Sequence, residues 1–121
     1  MQGKLLSSTL KRSLACLLVV YASAVLAQGQ VFELELVEHT FSPSELVIPA
    51  NTKIRLVINN RDATAEEFDS FDLNRERVIF ANSSSTIFIG PLPPGRYEYF
   101  GEYHPVSARG YILVKEDVNA N

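Results

Sequence analysis

Pro94-Gly95-Arg96-Tyr97-Glu98-Tyr99-Phe100-Gly101-Glu102-Tyr103-His104, followed six residues later by Gly110-Tyr111-Ile112-Leu113-Val114, is the stretch that decides the fold. Pro94-Gly95 is turn chemistry, a preset backbone angle next to a residue with none of the usual restrictions. Tyr97 and Tyr99 then alternate with Arg96 and Glu98, the period-two pattern of a strand with one buried face. Ile112 and Val114 repeat it. The two strands are joined by a loop that carries His104, one of only two histidines in the chain.

The same alternation recurs upstream. Phe32, Leu34 and Leu36 alternate with Glu33 and Glu35, Ile54, Leu56 and Ile58 with Lys53 and Arg55, and Ile87 and Ile89 mark a further strand. Turn-forming clusters separate these runs: Ser42-Pro43, Pro49-Ala50-Asn51, Asn59-Asn60-Arg61-Asp62, Asn82-Ser83-Ser84-Ser85 and Pro93-Pro94-Gly95. No segment has a sustained helical period, although Glu66–Arg77 has room for one short helical turn. Short strands at this spacing predict an all-β, antiparallel sandwich with Greek-key links. Tyr97, Tyr99 and Phe100 read as core and edge packing, and Asp72, Arg75, Glu76 and Arg77 as an exposed charged segment. Asp117–Asn121 reads as a frayed tail.

A chain of 121 residues has room for one domain. Lys4, Lys11 and Arg12 precede an apolar run, Leu14 to Leu26, that ends at the small residue Ala27. This is the layout of a secretory signal peptide over residues 1–27, with residues 28–121 as the domain and export to the periplasm as the expectation. The alternative is an uncleaved N-terminal anchor. Cys16 lies at the start of the apolar run rather than after it, the wrong order for lipid attachment.

Processing at that point removes the single Cys and the single Met, so residues 28–121 hold no thiolate and no thioether. It also removes three of 11 basic residues, leaving 8 against 14 acidic ones, a formal charge of −6. An acidic surface disfavours nucleic acid and anionic lipid headgroups, and suits a protein that meets cations or a basic partner.

Three stretches resemble the cupredoxin family and together cover nearly all of residues 28–121. Phe41-Ser42-Pro43, leading into Leu46-Val47-Ile48-Pro49-Ala50 and Lys53–Asn59, is similar to the family's opening strands. Asn60-Arg61-Asp62 followed by Glu66-Glu67-Phe68 stands where the family usually has its first ligand histidine. Pro94–Tyr99, Gly101–His104 and Gly110–Val114 resemble the element that supplies the family's cysteine, second histidine and methionine. The resemblance implies a cupredoxin-like Greek-key β-sandwich. It also implies what is missing. The first histidine position holds Glu66, the cysteine position Gly101, and the methionine position falls near Ala108 or Arg109. Only His104 keeps its family identity. Since a type 1 copper centre needs a cysteine thiolate, that centre is not expected.

Arg61-Asp62-Ala63-Thr64-Ala65-Glu66-Glu67-Phe68-Asp69, together with Gly101-Glu102-Tyr103-His104-Pro105, resembles a narrower group. These are small periplasmic cupredoxin-like proteins linked to bacterial iron uptake. That resemblance implies two candidate partners, a periplasmic iron-binding protein and an iron permease.

If strand one rises to Glu38 and strand 53–59 and strand 97–100 rise alongside it, three loops meet at one end of the sandwich. They carry His39, Glu66, Glu67, Asp69, Glu102 and His104, the candidate metal ligands. His104 and Glu66 lead because they occupy family ligand positions. Glu102 lies two residues from His104, and His39 depends on the loop topology. Glu67 and Asp69 point away from Glu66 in a regular strand. Carboxylate oxygen with imidazole suits iron, zinc, manganese and copper(II), so the expected ion is iron or copper. Other classes are a copper-assisted ferroxidase and a metal-free interaction module whose acidic end docks a partner. No Ser/His/Asp or Cys/His arrangement, phosphate loop or zinc-finger spacing is present, so hydrolytic chemistry has no support.

Overall fold

The computed structural model describes residues 29–116. The expected signal peptide and frayed tail lie outside the described residues. Nine strands follow in order: β1 Gln30–Val37, β2 Thr40–Ser42, β3 Glu45–Pro49, β4 Ile54–Asn60, β5 Glu66–Ser70, β6 Arg75–Ile79, β7 Ser84–Ile89, β8 Gly95–Gly101 and β9 Arg109–Lys115. They form two sheets, a four-stranded one in the order β2-β1-β4-β7 and a five-stranded one in the order β3-β9-β8-β5-β6. The chain leaves one sheet for the other at β3, β4, β5, β7 and β8, so most links are crossovers of the Greek-key kind.

The sheets are mixed rather than purely antiparallel. β1 runs parallel to β4 and β3 runs parallel to β9, while the other pairs are antiparallel. Parallel neighbours cannot be joined by a tight hairpin, and between the two members of each parallel pair the chain passes through the opposite sheet. Residues 66–77 form the β5–β6 hairpin rather than a helical turn. Glu66, Phe68 and Ser70 are buried on one side of β5, a period of two that a helix cannot satisfy.

The alternating apolar residues meet between the sheets. Leu34, Leu36, Leu56, Ile58, Phe68, Ile79 and Ile112 are completely buried. Each such side chain contributes about 1.5–3 kcal/mol of transfer free energy. At one end, Phe41 packs edge-on against Phe68 and Tyr99, with ring centres 6.2 and 5.3 Å away. Phe68 and Tyr99 stack at 5.1 Å. Tyr99 passes so close to Gly110 that any Cβ there would strike its hydroxyl. Burial holds the Tyr99 phenol well above the ordinary tyrosine range.

The register places the site. Leu36 on β1 lies beside Asn60 on β4, and Phe68 on β5 beside Gly101 on β8. The turn after β1, the loop entering β5 and the loop after β8 therefore open at one end.

Candidate functional site

Asn60 and Asp62 build the frame. Asn60 is 2% exposed, and its amide donates to the carbonyls of Thr64, Ile79 and Phe80. Its carbonyl oxygen accepts the Asp62 N–H at 2.9 Å. A buried amide satisfied on both sides fixes the loop between β4 and β5. Asp62 in turn accepts the backbone N–H groups of Glu38 at 2.7 Å and His39 at 2.9 Å. Glu38 and His39 both have positive φ, 50° and 58°, a costly conformation for non-glycine residues. The two charge-assisted bonds from Asp62 hold that strained turn and aim the His39 ring, whose Nδ1 lies 3.4 Å from Asp62 Oδ2. Asp62 was not among the residues singled out from sequence. Its signal was the Asn-Arg-Asp turn cluster, which reads as loop chemistry when the strand it will face is unknown.

Glu66 is the first residue of β5 and points inward, 1% exposed. An isolated buried carboxylate is costly, so its partners matter. Oε1 accepts the N–H of Glu67 at 3.0 Å and of Tyr103 at 2.8 Å. Oε2 lies 2.6 Å from His104 Nδ1, a short charge-assisted contact. The His104 loop is held by its own turn, with His104 N–H donating to Gly101 O and Ala108 N–H to His104 O. The His39 ring then stacks on His104, centres 3.5 Å apart and planes 13° from parallel. Ligand atoms of His39, Glu66 and His104 all lie within 4.8 Å of one another.

Gly101 explains how the carboxylate fits. A Cβ at Gly101 would come within 2.6 Å of Glu66 Cδ and 2.9 Å of its Oε1. The Glu66 carboxylate thus fills the space that a side chain at position 101 would need. A thiolate at that position and a carboxylate from Glu66 exclude each other sterically. The residues of this end do not fit a blue-copper ligand set, because the described chain has neither Cys nor Met. They fit a site of two imidazoles and one carboxylate.

The other candidates lie elsewhere. Glu67 and Asp69 face away from Glu66 on the outer side of β5, as period two requires. Glu102 is exposed beyond the end of β8, and its N–H donates to Glu67 O. These three carboxylates gather with Glu76 on the outer face, away from His39 and His104. Partial burial, followed by the charges of Glu76, Asp69, Glu102 and Glu66, pushes the Glu67 carboxyl above its ordinary range.

Chemically, the cluster can bind a proton or a cation. Nδ1 of His104 and Oε2 of Glu66 are satisfied by the proton they share, and a cation that takes both must displace it. Stacked rings direct their in-plane lone pairs along parallel planes, so His39 joins a shared cation only by tilting its ring. Its side chain is 38% exposed and has room to do so.

Comparison with known proteins agrees with this architecture. The metal-binding domain of the Cu(I)-exporting P-type ATPase of Streptococcus pneumoniae, solved with Cu(I), superposes with a TM-score of 0.64 at 14% identity, covering 73% of this chain and 88% of that one. Auracyanin A of Chloroflexus aurantiacus, a "blue" copper protein, superposes with a TM-score of 0.60 at 14% identity, covering 72% of this chain and all of that one. At such identities the likeness concerns the fold. An uncharacterised protein of Rickettsia prowazekii is 46% identical over 79 residues, 65% of this chain. The matched part spans 63% of that relative's length. A family model described as a cupredoxin-like domain matches residues 12–114. With the sandwich and that match together, this chain belongs to the cupredoxin-like domain family.

Proposed function

We propose that this protein is an exported metal-binding accessory of an iron-uptake system, holding iron or copper through His39, Glu66 and His104. The observation that carries the proposal is the buried Glu66 carboxylate. Its Oε1 is occupied by two backbone N–H groups, which leaves Oε2 directed at His104 with His39 stacked above. A set of two histidines and one carboxylate suits iron(II), and the same nitrogen and oxygen donors bind copper(II) more tightly by intrinsic order. The ion supplies Lewis acidity or redox capacity when bound, and the protein's residues supply position. Glu66 offers a preoriented anionic oxygen, His104 a ring fixed by its loop, and His39 an exposed ring at the entrance. The export signal expected over residues 1–27 and the motif likeness to iron-uptake proteins support the periplasmic setting. A periplasmic iron-binding protein or an iron permease is the corresponding partner.

A second reading has its own observation. Glu66 and His104 satisfy one another without a metal, so the same pair serves as a structural clamp in an interaction module. Calorimetric titration of the purified protein with iron(II) and copper(II) separates the two. His104→Ala and Glu66→Ala are each expected to weaken binding about 10–100-fold or more. Glu33→Gln, on the outer face of the other sheet, should bind as the parent does. If neither site variant alters the affinity, the clamp alone stands.

A further inference from the structure

The three donors at the histidine end are anchored unequally. Glu66 is 1% exposed, and its Oε1 accepts the N–H groups of Glu67 and Tyr103, so the carboxylate cannot turn without losing both. His104 sits in a loop closed by two backbone bonds, Gly101 N–H to Ala108 O at 2.8 Å and Ala108 N–H to His104 O at 2.9 Å. Its Nδ1 lies 2.6 Å from Glu66 Oε2. The fold's own hydrogen bonds therefore make these two donors converge.

His39 combines a fixed backbone with a loosely held ring. Its N–H donates to Asp62 Oδ2 at 2.9 Å, and its φ is 58°. The ring nitrogen Nδ1 is farther from the same oxygen, at 3.4 Å, and the side chain is 38% exposed. The ring's other support is the stack on His104, with centres 3.5 Å apart and planes 13° from parallel. Rings stacked in this way send their in-plane lone pairs along neighbouring planes rather than to one point. Asp62 and the stack thus park the His39 ring, and a rotation about its side-chain bonds, fast at an exposed site, takes it out of that position.

We propose that His39 is the last ligand to join a captured ion and the first to leave it, so that hand-over proceeds through the position His39 vacates. This rests on the metal-binding reading above and adds an order to it. Glu66 Oε2 and His104 Nδ1 engage first, because they already converge. His39 leaves its stack only when an ion held by those two offers its ring a better partner than Asp62. Release runs the same order in reverse. The bond from the His39 nitrogen to the ion breaks, the ring returns to Asp62 and His104, and an oxygen or nitrogen donor of the receiving molecule forms a bond in its place. Asp62 gives the departing ring a partner, which lowers the cost of opening.

Stopped-flow rates with copper(II), the tightest binder expected of these donors, test the order. Capture is read by mixing the protein with the ion, and release by adding excess ethylenediaminetetraacetate as the receiving molecule. His39→Gly is the variant of choice, since glycine adopts a positive φ without steric cost. His39→Asn also tolerates that backbone and stands in if glycine loosens the turn. Losing a ligand weakens affinity about 10–100-fold. In both variants the loss should appear as faster release, with the capture rate unchanged, whereas His104→Ala should slow capture. Electron paramagnetic resonance should show coupling to two nitrogens in the parent and to one in the His39 variants, a change that a merely structural role would not produce. A loss that falls on the capture rate overturns the proposal. So does a copper centre whose nitrogen count and release rate are the same without His39. In either case copper binding by the parent leaves the metal-binding reading standing, while a parent that binds no copper(II) sinks both.

Discussion

Glu66 and Gly101 are coupled by volume. Because a methyl at position 101 would overlap the Glu66 carboxylate, Gly101→Ala forces either the carboxylate or the His104 loop to move. Overpacking of this kind costs about 1–3 kcal/mol, so denaturant melts of Gly101→Ala should show a loss of that order. Truncating the neighbour opens the space, and Gly101→Ala with Glu66→Ala should lose less than the sum of the two single variants. Strict additivity would mean that the two residues do not compete for the same room. Asp62 acts on its neighbour by a different means, as the acceptor for two N–H groups in a strained turn. Asp62→Ala should destabilise the fold by about 1–3 kcal/mol and weaken metal binding through His39, an effect that titration of the same variant reads directly. Copper(II) bound by imidazole and carboxylate lacks the thiolate charge-transfer band, so the copper-loaded protein should be pale. An intense blue band in its visible spectrum would contradict the ligand set.

Among the elements, β1 and β4 set where the site forms, because their parallel register brings the His39 turn beside the loop that enters β5. Glu35 on β1 clips the pair, accepting from Arg61 at 2.7 Å and from Asn59 at 3.0 Å. The hydrogen bond from Arg61 holds the Glu35 carboxyl below its ordinary range. A depressed carboxyl pKa stabilises the fold above the unfolded-state value and loses that contribution as pH falls through the folded-state value. Glu35→Gln should therefore lower the melting temperature slightly near neutral pH and leave it unchanged in strong acid. The pair is solvent-exposed, so the loss should stay below about 1 kcal/mol and shrink in high salt. Equal losses at both pH extremes would point to packing rather than charge. β5 shows how one strand serves two purposes: alternation sends Glu66 and Phe68 inward while Glu67 and Asp69 face out.

Across the whole molecule, the aromatic trio of Phe41, Phe68 and Tyr99 ties the core to the end that carries the histidines. Phe68 is fully buried and lies two residues from Glu66 on the same face of β5. Phe68→Ala should cost about 3–5 kcal/mol in chemical denaturation, and it should weaken metal binding by loosening Glu66. The alternation of Leu34 with Leu36, Leu56 with Ile58 and Ile112 with Val114 was sufficient by itself to specify a two-layer β fold, since burial of one strand face is a local property of spacing. Composition was sufficient to remove cysteine and methionine from the described residues. For residues 66–70 the sequence left strand and helical turn both open, and period two separated Glu66 from Glu67 only on the condition that the segment is a strand. Local pattern carried no information about pairing direction, because a strand's alternation is the same beside a parallel or an antiparallel neighbour. The mixed sheets, the β5–β6 hairpin, the anchoring of His39 by Asp62 and the outer carboxylate face all depend on register between segments distant in the chain. Only the tertiary structure fixed that register, by burying both sheets against one another and bringing His39, Glu66 and His104 to a single end.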